Sequence, residues 1–533
     1  MALADPAGTR QTLRQPGILG AGRRQRKITF HAEKPSLPVN RAVEIPPYMN
    51  STPFFPQLRA RLAALGQRTA GAVRQFDLLA LAEHFRDLLP PALLASEDHG
   101  PGSRDRVYSL RLTFQCFVWQ MLKPGTACRE VVRAVQGLFQ SQGWGPVDAQ
   151  ASPYLQARQR LPESRLVQAL ESTAQVANDR AGGQGYLHGR PVIVADSSTV
   201  QLADTPENQA LYPQPSSQQP GCGFPLLKFL PLFSLSSGAI SHVVTADWKN
   251  HDARLLHQAG KLLAEGDVLL VDRAFGDYVN LATLPQRGVD VVARMHGARK
   301  VDFRQAKQRL GPQDALFEWR KGYQQADILT DQEWRALPEQ ITVRVIRFAA
   351  QIRGCTVRLT LVTTLLDPSL YPAKELIALY RRRWQLELTL RHLKTTMGME
   401  QLRCQSPARA RKELLACLVA YNLIRCLMAE AVAQTGAELE RLSFKGTVDA
   451  VRTFTAEIRA ARSRKKREQL WAELIRTIVS DKVPPRPGRT EPRAVKRRPK
   501  AYPLLNRPRH QFKEIPHRSR YRKAKSTQKP AKS

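Results

Sequence analysis

The sequence has few acidic residues for its 533 positions, and it lacks the patterns of membrane, secreted and zinc-binding proteins. Lysine and arginine number 82 against 46 aspartate and glutamate, which gives a formal charge of +36. The seven cysteines form no C-x-x-C pair and the eleven histidines no H-x-x-x-H pair, so neither a disulfide framework nor a zinc site is indicated. No apolar run of about 18 residues predicts a membrane span, and the N-terminal residues lack a secretory signal pattern. We expect a cytoplasmic protein that binds a polyanion.

The positive charge is concentrated towards the C-terminal end. Residues 461–533 contain 24 lysines and arginines, 5 acidic residues and nine prolines. This composition predicts an extended arm without a core of its own. The arm is either a solvated tail that aids solubility or, as we prefer, a segment that binds phosphate backbone by releasing counterions.

The hydrophobic pattern divides the chain into five regions. These are a flexible leader (1–50), a helical domain (51–185), an α/β core in two parts (186–295 and 373–435), a β-rich insertion (296–372) and a helical, then basic and disordered, C-terminal region (436–533). The segment LTDQEWRALPEQ within the insertion is interpreted as a loop.

Three successive helices in the helical region carry arginines at 129, 133, 158 and 160. Two interpretations remain open for them. They form either a helix-turn-helix that reads DNA or a scaffold of packed helices.

The core region alternates short apolar strands with amphipathic helices. The segments RPVIVAD, KFLPLFSL, ISHVVTA, GDVLLVD and VDVVARM predict strands, and HDARLLHQAGKLLAEG and DYVNLATLPQRG predict helices. The order β-β-β-α-β-α-β predicts an α/β protein with a mixed sheet flanked by helices, as in the ribonuclease H-like fold.

Two of these strands end in aspartate, VIVAD at Asp196 and VLLVD at Asp272. An acid at the C-terminal end of a buried strand lies at the rim of the sheet, where ligands bind in open α/β sheets. Either aspartate alone is weak evidence, because aspartate often ends a strand. Together they predict a site for a hard cation such as Mg²⁺, which prefers oxygen ligands. Such a site needs a third acid from a nearby helix.

The predicted helix 373–396 supplies that acid. At 100° per residue, Tyr380, Arg383, Glu387 and Lys394 project within an arc of about 60° on one face. An amphipathic surface helix with ordinary charge pairs is the simpler interpretation, but the full set of four at this spacing favours a functional face.

These residues resemble the DDE transposases of bacterial insertion sequences. The matching segments are ADSST at Asp196, DRAF at Asp272 and the spacing Y-x2-R-x3-E-x6-K that is typical of the insertion-sequence-four type. The resemblance covers about residues 105–435. It implies a ribonuclease H-like core that is interrupted by a β-rich insertion between Asp272 and Glu387.

The resemblance also implies the chemistry. Asp196, Asp272 and Glu387 would be catalytic and would hold two Mg²⁺ ions, for which Mn²⁺ can substitute. The enzyme would cut the ends of its insertion element and join the freed 3′-hydroxyl to target DNA without an energy cofactor. The sequence has no G-x-x-x-x-G-K-[ST] motif, which agrees with this expectation.

The implied partners are double-stranded DNA, as terminal inverted repeats and as target, and a second copy of the chain in a synaptic homodimer. Four side chains are expected to bind DNA, namely Tyr380, Arg383, Lys394 and Arg273. An aromatic of the insertion, Trp319 or Trp334, would stack on a flipped base. We expect the protein in the bacterial cytoplasm, at the nucleoid.

Three alternatives stay open at this point. The alternatives to an active transposase are a DNA-binding relative that has lost its activity, a stand-alone nuclease of the same fold, and a basic RNA-binding protein. An RNA-binding protein would need no acidic trio, and the presence of all three acids counts against a relative that has lost its activity.

Overall fold

A computed structural model describes residues 88–94, 107–484 and 505–512, except positions 184, 324, 326, 327, 353, 354, 384 and 462. The predicted leader lies outside the described residues, and so does most of the basic arm. The boundaries of the five predicted regions remain predictions.

The described N-terminal part is helical. After a 3₁₀ turn at Pro91–Leu94 come α1 (Leu110–Leu122), α2 (Cys128–Gln142), α3 (Ser152–Arg160) and α4 (Glu163–Ala181). The side chain of Ser109 caps α1 by accepting a hydrogen bond from the Leu112 N–H. Gly143 ends α2 in the left-handed conformation, at a φ of 69°. The described part of the predicted helical region is helical, and its role in DNA binding stays a prediction.

Arg158 of α3 does not belong to an exposed DNA-reading surface. Its residue is only 8% exposed, and its guanidinium lies 3.8 Å from the centre of the Phe117 ring. Its Nη2 contacts the Cys404 sulfur at 3.3 Å. Arg158 therefore holds α1, α3 and the segment at Cys404 together. Arg129, Arg133 and Arg160 are exposed.

Ten strands in the described part of the chain form one sheet. They are β1 (Val192–Ala195), β2 (Ser198–Gln201), β3 (Leu226–Ser234), β4 (Ile240–Asp247), β5 (Val268–Val271), β6 (Asp290–Arg294), β7 (Gln308–Gly311), β8 (Asp314–Arg320), β9 (Gln340–Ile352) and β10 (Cys355–Thr363). Their order is β2-β3-β1-β5-β6-β10-β9-β8-β7, and β4 also pairs with β3. Strands β1, β5 and β6 are parallel, and the other pairs are antiparallel. The predicted mixed sheet with flanking helices is confirmed.

Three short helices connect these strands: α5 (Pro206–Leu211), α6 (Asp252–Gly260) and α7 (Tyr278–Thr283). The parallel strands are apolar throughout because both faces of the sheet are covered. Ile193 and Leu269 pack in one hydrophobic cluster with Leu255 of α6. Val194 and Leu270 pack in a second hydrophobic cluster on the other face of the sheet. This cluster contains residues of the N-terminal helices and of the helix Pro407–Thr435.

The β-rich insertion continues the same sheet. Strand β10 pairs with β6 through Val362 and Ala293, so β7–β10 are joined edge to edge with the core strands. The interpretation of LTDQEWRALPEQ as a loop is wrong for part of it, because α8 (Asp331–Ala336) forms there. A reciprocal capping box between Thr330 and Glu333 starts this short helix.

The remaining helices follow the insertion. They are α9 (Ala373–Arg382), α10 (Gln385–Arg391), a π-helical segment (His392–Thr396), α11 (Pro407–Thr435), α12 (Phe444–Ala460) and α13 (Arg464–Ser480). Helix α11 is, among the described helices, the one long and apolar enough to span a membrane, but 89% of its most apolar window is buried inside the protein. It is the central core helix.

Asn422 of α11 is fully buried and joins three elements. Its Oδ1 accepts from the Ile240 N–H at 2.8 Å, and its Nδ2 donates to the Ile240 carbonyl at 2.8 Å and the Leu170 carbonyl at 3.1 Å. These bonds fix α4 and the start of β4 against α11.

We expect Asn422→Ala to lower the free energy of unfolding by about 2–3 kcal/mol, because it leaves buried backbone groups without partners. Urea unfolding followed by circular dichroism measures the loss. Gln434→Ala, an exposed change near the end of the same helix, is the control. A loss no larger than that of the control would contradict this role for Asn422.

Candidate active site at the ends of two parallel strands

Asp196 and Asp272 lie at the same level of the sheet. Strands β1 and β5 pair in parallel, and the register places Val194 beside Leu270. Each aspartate follows that pair by two residues. All residues of both strands are buried, whereas both aspartates are partly exposed. The sequence prediction that the two acids share one edge of the sheet is confirmed.

The helix that follows the insertion brings two further side chains to these acids. The Tyr380 hydroxyl donates to Asp272 Oδ1 at 3.2 Å. Arg383 Nη1 lies 3.9 Å from Asp196 Oδ2. Arg383 Nε is buried and has no hydrogen-bond partner in the described structure, so this guanidinium has an unused donor.

The helix itself is interrupted, where one continuous helix over 373–396 was expected. Around the interruption the Arg383 N–H bonds to the Tyr380 carbonyl and the Leu386 N–H to the Arg383 carbonyl. These i→i+3 bonds tighten the chain between α9 and α10. Farther on, His392–Thr396 is π-helical, so Lys394 does not project at the angle of an ideal α-helix.

Glu387 is exposed on α10, and Lys394 is half-buried in the π-helical segment. In the described part of the chain, no three acidic, histidine or cysteine side chains lie close enough together to hold one metal ion. The role of Glu387 beside the two aspartates therefore stays a prediction. Burial lowers the pKa of the Lys394 ammonium, and nearby Glu400 opposes that effect.

Burial also changes the charge balance around the aspartates. It raises the pKa of Asp196 to about 6; the Arg383 guanidinium and the Ser197 N–H oppose this effect, and Asp272 and Asp252 add to it. Burial, together with the neighbouring Asp272, raises the pKa of Tyr380 to about 12 although Arg383 opposes it. Tyr380 is thus a proton donor to Asp272 at neutral pH.

The donor set suits a hard divalent cation only in part. Two carboxylates offer oxygen ligands at one place, and the raised pKa of Asp196 indicates that negative charge there lacks compensation. A cation would supply that compensation. The third carboxylate that such a site needs is not assembled among the described residues.

The pKa of Asp196 has a consequence for stability. Its value is 3.8 in the unperturbed state and about 6 in the folded protein. Between these values the folded protein holds the proton longer than the unfolded chain, so the free energy of unfolding falls as pH rises from about 4 to about 6. Above that range the ionised side chain destabilises the ion-free protein.

We therefore expect Asp196→Asn to be more stable than the parent at pH 8 in EDTA, by about 1–2 kcal/mol. This value is smaller than the free energy that corresponds to the full pKa shift, because the Asp196 side chain is 30% exposed to solvent. At pH 4 the two proteins should differ little. Urea unfolding at both pH values tests this, and a variant that is less stable than the parent at pH 8 would contradict it.

Three further residues belong to the neighbourhood, and the sequence did not identify them. Ser197, Lys228 and Asp252 form hydrogen bonds beside Asp196. Asp252 begins α6, where an acid is ordinary because it favours the helix N-terminus. The sequence therefore gave no signal that separates it from a surface acid.

The other expected DNA-contacting side chains differ in exposure. Arg273 is exposed in the 3₁₀ turn directly after Asp272. Trp319 is 6% exposed and lies under the Arg299 guanidinium at 3.9 Å, so it is not free to stack on a base. Trp334 is half-buried near Lys321.

The chain is similar to several known transposases. Residues 187–423 match the family model described as "Transposase DDE domain". The chain is 26% identical over 426 residues to the transposase InsG for insertion sequence element IS4 of Escherichia coli strain K12, covering 78% of this chain and 92% of that relative. It is 28% identical over 142 residues to the putative transposase InsZ of the same organism, covering 26% of this chain and 46% of that relative. A cryo-EM structure of the piggyBac transposase synaptic complex with hairpin DNA aligns over 76% of this chain and 84% of its own, with 10% identity and a TM-score of 0.34.

Proposed function

Because the chain belongs to the DDE transposases of the IS4 type, we propose that it cleaves the ends of its own insertion element and joins the freed 3′-hydroxyl to target DNA. The observation that supports this most strongly is the convergence of Asp196 and Asp272 with Tyr380 and Arg383. Four residues from three separate parts of the sequence meet at one edge of the sheet, and all four match the family signature.

We propose a ribonuclease H-like core for the region around this site. The support is the strand order β4-β3-β1-β5-β6, in which β3 and β4 are antiparallel to their neighbours and β1, β5 and β6 are parallel. The insertion strands β7–β10 would then extend this core at the β6 edge.

We propose that Asp196, Asp272 and Glu387 together hold the divalent ions, with Mg²⁺ as the natural ion and Mn²⁺ as a substitute. Bound ions of this kind activate an attacking oxygen and stabilise the departing one. Glu387, which is exposed on α10, has to approach the aspartates for this. Arg383 would then exchange part of its contact with Asp196 for a phosphate of the DNA.

The remaining signature residues would bind and orient the strand. Tyr380 holds the Asp272 carboxylate through its hydrogen bond, which leaves the second oxygen of that carboxylate for other ligands. Arg273 follows Asp272 directly in the chain, and Lys394 belongs to the signature that contains Glu387. Both side chains would bind backbone phosphates, which position the DNA without reading its sequence.

The assembly would be a homodimer on two element ends at the bacterial nucleoid. Each end needs its own active site, and the described chain offers one pair of aspartates at the end of parallel strands. The chain has 82 basic and 46 acidic residues, and this excess of positive charge favours binding to duplex DNA through counterion release.

A strand-transfer assay tests the proposal. The purified full-length protein is mixed with Mg²⁺, a DNA fragment that carries the inverted repeats flanking its gene, and a target plasmid. We expect joined products that depend on both Mg²⁺ and the repeats. Cleaved ends without joining would indicate a nuclease, binding without cleavage an inactive relative, and equal affinity for RNA an RNA-binding protein.

A further inference from the structure

Next to Asp196 lies a hydrogen-bonded chain of three side chains, of which only Ser197 belongs to one of the signature segments, ADSST. The Ser197 hydroxyl donates to Asp252 Oδ1 at 2.6 Å. The Lys228 ammonium lies 2.6 Å from the same oxygen and donates to the Asn250 carbonyl at 2.8 Å. One carboxylate oxygen of Asp252 thus receives two donors.

These residues converge from three elements on the segment that carries Asp196. Strands β1 and β2 are separated only by Asp196 and Ser197, and both pair with β3 in one antiparallel register, in which Ala195 lies opposite Leu232 and Ser198 opposite Phe229. Lys228 lies on β3 opposite Thr199 of β2. The chain therefore continues along β3 through Asp196 and Ser197, and the bond from Ser197 to Asp252 ties this segment to the start of α6.

Ser197 also orients the Asp196 carboxylate. The Ser197 N–H donates to Asp196 Oδ1 at 2.8 Å, so one residue contacts Asp196 with its backbone and Asp252 with its side chain. Rotation of Ser197 would move both contacts together. The direction of the Asp196 carboxylate thus depends on the position of Asp252.

The positive charge of Lys228 compensates the negative charge of Asp252. Asp252 is hydrogen-bonded to Ser197, the neighbour of Asp196, so an unpaired Asp252 would add negative charge to a site that already has two aspartates. The Lys228 side chain is 13% exposed and the Asp252 side chain 33%, so water screens their attraction only in part. Lys228 therefore neutralises Asp252 while leaving its hydrogen bond to Ser197 intact.

We propose that Lys228, Asp252 and Ser197 are positioning residues that fix the Asp196 carboxylate for the divalent ion. The inference rests on the proposed function for the ion itself. Residues that orient a metal ligand from behind commonly contribute about 10–100-fold to metal affinity. If these hydrogen bonds served only to stabilise the local fold, their loss would change stability and leave the affinity for the ion unaltered.

The experiment measures Mn²⁺ binding to the full-length protein directly, from the loss of the free Mn²⁺ signal in electron paramagnetic resonance. The variants are Ser197→Ala and Asp252→Asn, with Ser197→Thr to restore the hydroxyl and Asp204→Asn, an exposed aspartate after β2, as the matched control. DNA binding in EDTA and the thermal midpoint are recorded for every variant.

We expect Ser197→Ala and Asp252→Asn to weaken Mn²⁺ binding about tenfold or more, while metal-free DNA binding and the affinity of the two control variants stay at the parent level. If both variants bind Mn²⁺ as tightly as Asp204→Asn, the positioning network is overturned and the proposed function stands. If the parent binds Mn²⁺ no better than Asp196→Asn and Asp272→Asn do, the metal assignment of the proposed function fails, and the network fails with it.

Discussion

Replacing Asp272 with asparagine is expected to lower the rate of DNA end cleavage about 10³-fold or more while leaving affinity for the end DNA nearly unchanged. The substitution keeps the shape of the side chain and its ability to accept from the Tyr380 hydroxyl. It removes one of two negative charges that face the same place, and the loss of a metal-ligating charge costs several kcal/mol of transition-state stabilisation. Arg273 and Lys394, the proposed phosphate-binding side chains, are not altered by this substitution.

A nicking assay on labelled end DNA, paired with a gel-shift titration in EDTA, separates the two effects. Asp204→Asn is the control for a change of the same size in charge and shape. Cleavage by Asp272→Asn within a few-fold of the parent would remove Asp272 from the chemistry. An equally large loss of DNA binding would indicate that its role lies in holding DNA.

The largest expected effect on stability comes from Asp314→Asn. Arg344 of β9 is fully buried, and its Nε and Nη2 donate to the two carboxylate oxygens of Asp314 at 2.8 and 2.5 Å. Its Nη1 donates to the Tyr371 carbonyl at 2.6 Å. Removing the charge of Asp314 leaves a buried cation without its anion, which costs about 3–5 kcal/mol.

The position of this pair links stability to the active site. Tyr371 lies just before α9, the helix that carries Tyr380, so Arg344 fastens the insertion strands to the chain that leads into the site. We expect Asp314→Asn to lower the urea midpoint and also to weaken cleavage.

The double variant Asp314→Leu with Arg344→Met replaces both charges by apolar groups of similar size. We expect it to recover most of the lost stability, because replacing a whole buried pair costs far less than breaking it. If the double variant is as unstable as the single one, the cost lies in packing or in the bonds to the 367–371 segment, and the ion pair is not the cause.

The sequence predicted the parts of the site that depend on local pattern. Apolar runs that end in Asp196 and Asp272 indicate adjacent buried strands, and their level in the sheet follows from parallel pairing. The spacing of Tyr380 and Arg383 predicts one helix face, and both side chains do reach the aspartates.

Features that depend on contacts between distant segments were not predictable in the same way. Asp252 resembles any acid at a helix start, and only its contact with Ser197 distinguishes it. Arg158 resembles a surface arginine of a DNA-binding helix, but its stacking on Phe117 buries it. The alternation of apolar and polar residues in β10 predicts a strand, but it does not specify β6 as the partner of that strand.

We propose that Asp196, Asp272 and Glu387 meet around divalent ions when the protein holds an element end. A structure of the complex with end DNA and Mn²⁺, with the ions located by their anomalous scattering, measures this directly. We predict carboxylate oxygens of all three residues within about 2–2.5 Å of the ions, with Glu387 brought to the two aspartates. Ions held by Asp196 and Asp272 while Glu387 stays in solvent would contradict this arrangement.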